Sequence, residues 1–317
     1  MAETVVLTGG TRGIGRAAAE ALLRRGPATH LVVPVRDPAS TDLPAELSAV
    51  TGNDNVLALP CDLADLAAVR GFAEDVRRRL DTGELPPLRG IACNAGLLTT
   101  SATRSTADGF ELTFGVNVLS HQLLLRLLAD LLAAPATVVL VSSGTHFGTF
   151  RHNYGSMPPP LWRDVAQLAT PGTAPRAASV YAGRQAYVTT KLALVHLVHE
   201  WARRLPDGVR AVGYDPGLVT GTDFGRDFGR VGRFAYRVLL RPLAVLPLAA
   251  TPRAAGERLA ALVTGALPAG SGDYVELTEV APSSPESYDE CRERELWTET
   301  ERLLAPFGAS PHGGAAS

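Results

Sequence analysis

Lysine is almost missing from this chain. Of 30 basic residues, 29 are arginine and one, Lys191, is lysine. Arginine can replace lysine on a solvated surface, but it cannot replace a compact ammonium in a tight site. The surviving lysine therefore marks a position to follow. Cysteine is also scarce. Cys61, Cys93 and Cys291 make an odd number, and no pair has metal-ligand spacing. That excludes a disulfide scaffold and a zinc ribbon, and reads as reduced thiols. Excess charge of one sign is lacking too: net charge is −2, which leaves no footprint for nucleic acid or an anionic membrane. No charged segment followed by an apolar one opens the chain, since Met1–Glu3 leads straight into Val5-Val6-Leu7. The longest membrane candidate, Val238–Ala250, is broken by Arg241, Pro242 and Pro247 and is too short to span. The expectation is a cytoplasmic protein with no nucleic-acid partner and no integral membrane segment.

What is present is a chain of 317 residues, 46% of them hydrophobic, enough for a sizeable core. Short apolar or β-branched runs read as strands: Thr4–Thr8, His30–Val35, Asn55–Pro60, Gly90–Asn94, Ala136–Ser142, Val209–Tyr214 and Asp273–Glu276. Helical patterns alternate with them, among them Ile14–Arg25, Asp65–Leu80, Phe110–Ala133 and Tyr187–Arg204. Near-continuous apolar strands between helices predict an α/β fold. It is a Rossmann-type doubly wound parallel sheet of about seven strands with helices on both faces. Residues 1–307 read as a single domain and 308–317 as a disordered Gly/Ala/Ser tail. Two irregular stretches, 144–186 and 218–250, follow strand carboxyl ends. They read as an active-site insert and a substrate lid.

Thr8-Gly9-Gly10-Thr11-Arg12-Gly13-Ile14-Gly15 lies between the first strand and the first helix. Gly9 lets the chain turn, Gly13 lets backbone approach a phosphate, and Gly15 lets the helix lie close. The helix N-terminus offers free N–H groups to a pyrophosphate. Gly9, Thr11, Arg12, Gly13, Ile14 and Gly15 are thus candidate dinucleotide contacts. The second strand ends Val35-Arg36-Asp37. An NAD site wants a carboxylate at the strand end for the ribose hydroxyls, and Val35 cannot serve. Arg36 and Arg12 can grip a 2′-phosphate instead, so NADP(H) is favoured, with Asp37 leaving NAD open. Asp62 and Leu63 close the third strand beside the expected adenine. Asn94, Ala95 and Gly96 close the fourth, where small residues let backbone lie along the cofactor.

Tyr187 and Lys191 share one helix face at i and i+4. An ammonium beside a phenol favours the phenolate and draws its pKa from about 10 toward the working pH. Tyr181 is the weaker candidate. Ser142-Ser143 ends the fifth strand, and strand alternation lets only one of them face the cleft well. Ser143 is the choice, placed to hydrogen-bond a substrate carbonyl oxygen. Asn117 is a polar residue in an apolar helix. It either holds a water that relays protons to Lys191 or bonds backbone. His146 and His152 read as pocket-lining or surface residues rather than proton shuttles, and Cys93 as a small core residue.

The order of these motifs resembles the short-chain dehydrogenase/reductase family: Thr8–Gly15, Asp62, Asn94-Ala95-Gly96, Asn117, Ser142-Ser143, Tyr187 with Lys191, and Asp215-Pro216-Gly217. The likeness runs from Thr4 to about Phe307 and is closest to the retinol dehydrogenase and light-dependent protochlorophyllide reductase branch. Val35-Arg36-Asp37, Phe114–His121, Lys191-Leu192-Ala193 and Leu296-Trp297 carry it. The resemblance implies a catalytic tetrad of Asn117, Ser143, Tyr187 and Lys191, with Tyr187 and Lys191 also touching the cofactor. It implies that Pro216, Gly217, Val219, Thr220 and Thr222 wrap the nicotinamide and pyrophosphate. Ser143 and Tyr187 stand 44 positions apart, further than in most of the family.

The expected activity is NADPH-dependent hydride transfer to a carbonyl of a fairly large apolar small molecule. Reduction of an activated C=C bond is the first rival, and an NADP-sensing regulator without turnover is the second. The sequence leaves substrate, stereochemistry and direction open, and is compatible with a homo-oligomer.

Overall fold

The computed structural model describes residues 1–153, 155–219 and 249–308. Its strands are β1 (Glu3–Leu7), β2 (Thr29–Val35), β3 (Val56–Pro60), β4 (Leu88–Cys93), β5 (Leu132–Val141), β6 (Val209–Asp215), β7 (Leu218–Val219), β8 (Ala249–Ala250), β9 (Tyr274–Glu276) and β10 (Glu279–Ala281). The central sheet has the order β10-β9-β6-β5-β4-β1-β2-β3. From β1 the chain winds outward through β2 and β3, then returns to β4 and winds the other way. The carboxyl ends of β1 and β4 therefore part at the switch point, where an open α/β sheet leaves its ligand crevice.

Alternation along the strands sorts side chains into two cores. Val5, Leu7, Val33, Val139 and Val141 face helices α1 (Gly13–Arg25) and α6 (Pro252–Val263). Val6, Val32, Ile91, Val138 and Leu140 face α3 (Leu66–Asp81), α4 (Leu112–Leu131) and α5 (Val180–Arg204). Both faces are covered, which is why these strands read as unbroken apolar runs. α2 (Leu43–Thr51) lies against α1, where Leu43 and Leu47 are buried. α1 and α6 touch closely because Gly256 has no side chain; a Cβ there would lie 2.5 Å from Ala18 N. A last helix, α7 (Glu290–Leu304), lies on α5 through an edge-on Trp201–Trp297 pair with centroids 5.0 Å apart.

Three features depart from the sequence reading. The sheet is not wholly parallel: it has eight strands, and β9 and β10 form an antiparallel hairpin. Helix α5 begins at Val180, inside the expected insert, with Ser179 Oγ accepting Ala182 N at 3.1 Å as its cap. Strand β5 starts at Leu132, four residues early. Among the described residues one helix does have membrane length. Leu112–Leu131 is apolar and long enough to cross a bilayer, yet 94% of its apolar window is buried inside the protein.

The strands β7 and β8 pair in parallel, Leu218 with Ala249 and Val219 with Ala250. The rest of the expected lid, Tyr154 of the insert, and the tail beyond Gly308 lie outside the described residues.

Candidate active site

The glycine turn sits at the mouth of the crevice. Gly9 and Gly13 take φ of 71° and 57°, the left-handed region that only glycine enters cheaply. A Cβ on Gly15 would lie 2.1 Å from Gly9 O, so helix and turn can meet only without one. Helix α1 has no side-chain cap at Arg12 and no acidic residue in its first turn. Its leading N–H groups are thus left for an anion. Thr11 and Arg12 are exposed there, with Gly13 and Ile14 half-buried behind them.

At the end of β2, Val35 is buried while Arg36 and Asp37 are exposed. Asp37 spends its carboxylate on its own turn, accepting Ala39 N at 3.0 Å. Arg36 meets no carboxylate among the described residues. At the end of β3, exposed Asp62 accepts Ala64 N at 3.0 Å and Leu63 is half-buried. Cys61 beside them is buried, which pushes its thiol up to about 12, with Asp62 and Asp65 adding to the shift. It is an inert thiol.

The β4 end is held by Thr8. Its hydroxyl oxygen accepts Asn94 N at 3.0 Å and Ala95 N at 2.9 Å, while Asn94 Nδ2 donates to Thr8 O at 2.9 Å. Gly96 lies next to Lys191; a Cβ on it would be 3.6 Å from Lys191 Nζ. Asn117 is fully buried in a π turn of α4, Gly115–Leu119. Its Oδ1 accepts Leu97 N at 2.9 Å; its Nδ2 donates to Leu97 O at 3.1 Å and Thr190 Oγ1 at 3.0 Å. Both amide hydrogens are spent. Its Oδ1 accepts one N–H and keeps a second lone pair.

The two serines separate as alternation requires. Ser142 is buried, and its hydroxyl donates to Lys191 O at 2.8 Å. Ser143 is half-buried and caps the turn Gly144–Phe147, its oxygen 3.3 Å from Thr145 N. Tyr187 and Lys191 are each 4% exposed, and the ammonium lies 5.5 Å from the phenol ring centroid. Lys191 Nζ donates to Val141 O at 2.7 Å. Burial lowers the lysine pKa from 10.5 to about 8, and the charge of Asp215 works the other way. Tyr181 is exposed on the same helix.

Asp215, which the sequence reading used only as a motif letter, is buried at the end of β6. Its Oδ1 accepts Gly217 N at 2.9 Å and its Oδ2 accepts the Tyr274 hydroxyl at 3.0 Å. Burial pushes it up to about 6, opposed by those bonds. It fixes the turn of Pro216 and Gly217, where Gly217 has φ 73°. Val219 follows in β7; Thr220 and Thr222 lie outside the described residues. The bonds that give Thr8, Thr190 and Tyr274 their roles were also not legible in the sequence, because each reaches a partner far along the chain.

His146 is buried. Its Nδ1 faces Ser143 O at 2.7 Å, so it donates, and its Nε2 accepts Ser284 N at 3.0 Å. Burial holds its pKa down to about 4, so it stays neutral. His152 stacks on Phe147 with centroids 3.9 Å apart. A cavity of about 30 Å3 lies on the Thr190 side of α5, lined by Glu111, Phe114, Arg163 and Thr190 among others. It has room for about two waters.

Comparison with known proteins gives the family and the fold. The pattern of the short chain dehydrogenase family matches residues 3–155. Mouse retinol dehydrogenase 13 is 32% identical over 99% of this chain and 88% of its own length. Protochlorophyllide reductase A of Arabidopsis thaliana is 29% identical over 95% of this chain and 76% of its own. Among solved structures, an angucycline C-6 ketoreductase with bound NADP superposes with a TM-score of 0.63. It is 20% identical and covers 87% of this chain and 93% of that one, a likeness of fold.

Proposed function

The chain belongs to the short-chain dehydrogenase/reductase family of oxidoreductases, and on that premise we propose that it uses NADPH to reduce a carbonyl of a fairly large apolar small molecule. The observation that carries this reading is the buried Tyr187–Lys191 pair. The chain's single lysine sits one turn from a buried phenol, beside the crevice at the carboxyl edge of the sheet.

The residues fit a dinucleotide phosphate. The uncapped α1 N-terminus and the glycine turn make an anion cradle, and a Cβ on Gly15 would drive helix and turn apart. Exposed Arg36 at the β2 end and Arg12 in the glycine turn would supply charge-assisted bonds to a 2′-phosphate, and Asp37 is turned to its own backbone. NADPH, when bound, supplies the hydride. Tyr187 gives the proton to the carbonyl oxygen, and Ser143 donates a hydrogen bond to that oxygen as charge develops on it. Lys191 favours the phenolate that remains and so eases the proton transfer. Asn117 acts from behind, holding the Leu97 backbone and Thr190 around the lysine.

The substrate class is supported by the names of the relatives, a retinol and a protochlorophyllide enzyme, both acting on large apolar molecules. The second relative also favours reduction of a C=C bond as an alternative. Incubation with NADPH and a panel of apolar ketones, aldehydes and enones, with product analysis, decides between the two. Tyr187→Phe should keep NADPH binding and lose carbonyl turnover. Retained turnover in that variant would defeat the proposed role of the phenol.

A further inference from the structure

His121 lies one helical turn after Asn117, on the same face of α4. Its ring is fully buried and both nitrogens are engaged. Nδ1 is 3.1 Å from the Asn117 carbonyl oxygen, and Nε2 is 3.1 Å from the Thr8 hydroxyl. A carbonyl oxygen only accepts, so Nδ1 carries the proton. The Thr8 oxygen already accepts two N–H groups, from Asn94 and Ala95, which fills its lone pairs. Its own hydrogen must therefore point outward. Nε2 is a nearer acceptor than Ala92 O, at 3.1 against 3.4 Å. Three neighbours thus select one tautomer, Nδ1–H with a bare Nε2. Burial holds the ring's pKa down to about 4; the Asn117 carbonyl opposes this, and the charge of Lys191 adds to it.

The two ends of this bridge belong to different parts of the site. Thr8 closes β1 just before the glycine turn and carries the β4 end. Asn117 lies in the π turn, whose carbonyls take side-chain partners: Ser120 Oγ donates to Val116 O at 2.7 Å, and His121 takes the next carbonyl. The Asn117 amide then holds Leu97 and Thr190. We infer that His121 is a positioning residue that ties the nucleotide turn at Thr8 to the Asn117 turn behind Lys191, so that the cofactor cradle and the catalytic helix keep one register. The kinetic consequence rests on the reductase reading above; the bridge itself does not.

Two measurements test it. Nitrogen-15 NMR of the imidazoles, with His121 assigned by its loss in His121→Asn, should show a protonated Nδ1 and bare Nε2 that do not titrate between about pH 5.5 and 9. The opposite tautomer, or a ring titrating in that window, overturns the inference whether or not the protein turns over. In kinetics, with active sites counted by NADPH titration, His121→Phe should lower kcat about tenfold or more and move the midpoint of its pH profile. His121→Asn, whose amide reaches back to the Asn117 carbonyl, should recover part of both. A His121→Phe protein with unchanged kcat and pH midpoint, only easier to melt, would overturn the positioning role. If the unmutated protein reduces no carbonyl at all, the reductase reading fails and the NMR result alone decides the bridge.

Discussion

The side-chain amide of Asn117 grips both backbone groups of Leu97, accepting its N–H at 2.9 Å and donating to its carbonyl at 3.1 Å. The pairing imitates a strand ladder across 20 residues of chain and sets the turn after Gly96 beside Lys191. Asn117→Asp removes both donors and sets a carboxylate oxygen against the Leu97 carbonyl and Thr190. Each buried group left unpaired costs about 1–3 kcal/mol. Chemical denaturation should show a loss of that order, and turnover should fall with it. A variant of unchanged stability would mean that the turn is held by other contacts.

Cofactor choice follows from the β2 end. The unmutated protein should bind NADPH about tenfold tighter than NADH or better, a difference of about 1.4 kcal/mol. Arg36→Ala should erase most of the gap while leaving NADH affinity nearly untouched. Fluorescence titration of both nucleotides reads this out, and equal affinities before mutation would remove the case for Arg36.

The glycine turn between β1 and α1 and the shared helix of Tyr187 and Lys191 were legible because their rules are local. A glycine run between an apolar strand and a helix, and a lone lysine four residues after a tyrosine, need no knowledge of the rest of the chain. What stayed hidden depends on distant partners. Gly183 weakens the helical signal ahead of Tyr187, yet it is there for tertiary reasons: a Cβ would lie 2.3 Å from Thr99 O. The β9–β10 turn is Leu277-Thr278, with Leu277 at φ 57° where a hairpin signal would show glycine or asparagine. Asp215 lies within a motif, but its bond to Tyr274 spans 59 positions. The link from His146 to Ser284 spans 138.

The Asp215–Lys191 relation gives a pH prediction. If Lys191 assists only while charged, carbonyl reduction should fall as pH rises through about 8 in the kcat/KM profile for NADPH, which reports the groups of the free protein. The carboxylate of Asp215 holds the lysine pKa up against burial. Asp215→Asn keeps the acceptor for Gly217 N but removes the charge, so the lysine loses its proton earlier. The alkaline limb should move toward lower pH by about half a unit to one unit. A limb that stays in place would leave Asp215 with a purely structural duty at the Gly217 turn.

The lone lysine allows a direct chemical test. Amine-directed reagents meet two targets in this chain, Lys191 and the N-terminus. Lys191 is nearly buried, with its ammonium beside Gly96 and bonded to Val141 O. If it faces the ribose of bound NADPH, the cofactor should shield it from reductive methylation while the N-terminus reacts as before. Modification without cofactor should then track loss of activity. Lys191→Arg should also lose activity although it keeps the charge, because a planar guanidinium cannot occupy the space of a compact ammonium between Tyr187, Gly96 and the Val141 carbonyl. Peptide mass mapping with and without NADPH measures the first effect, and steady-state turnover the second. Equal labelling in both states, or a fully active Lys191→Arg protein, would place the lysine outside the reaction and leave the Tyr187 assignment without its partner.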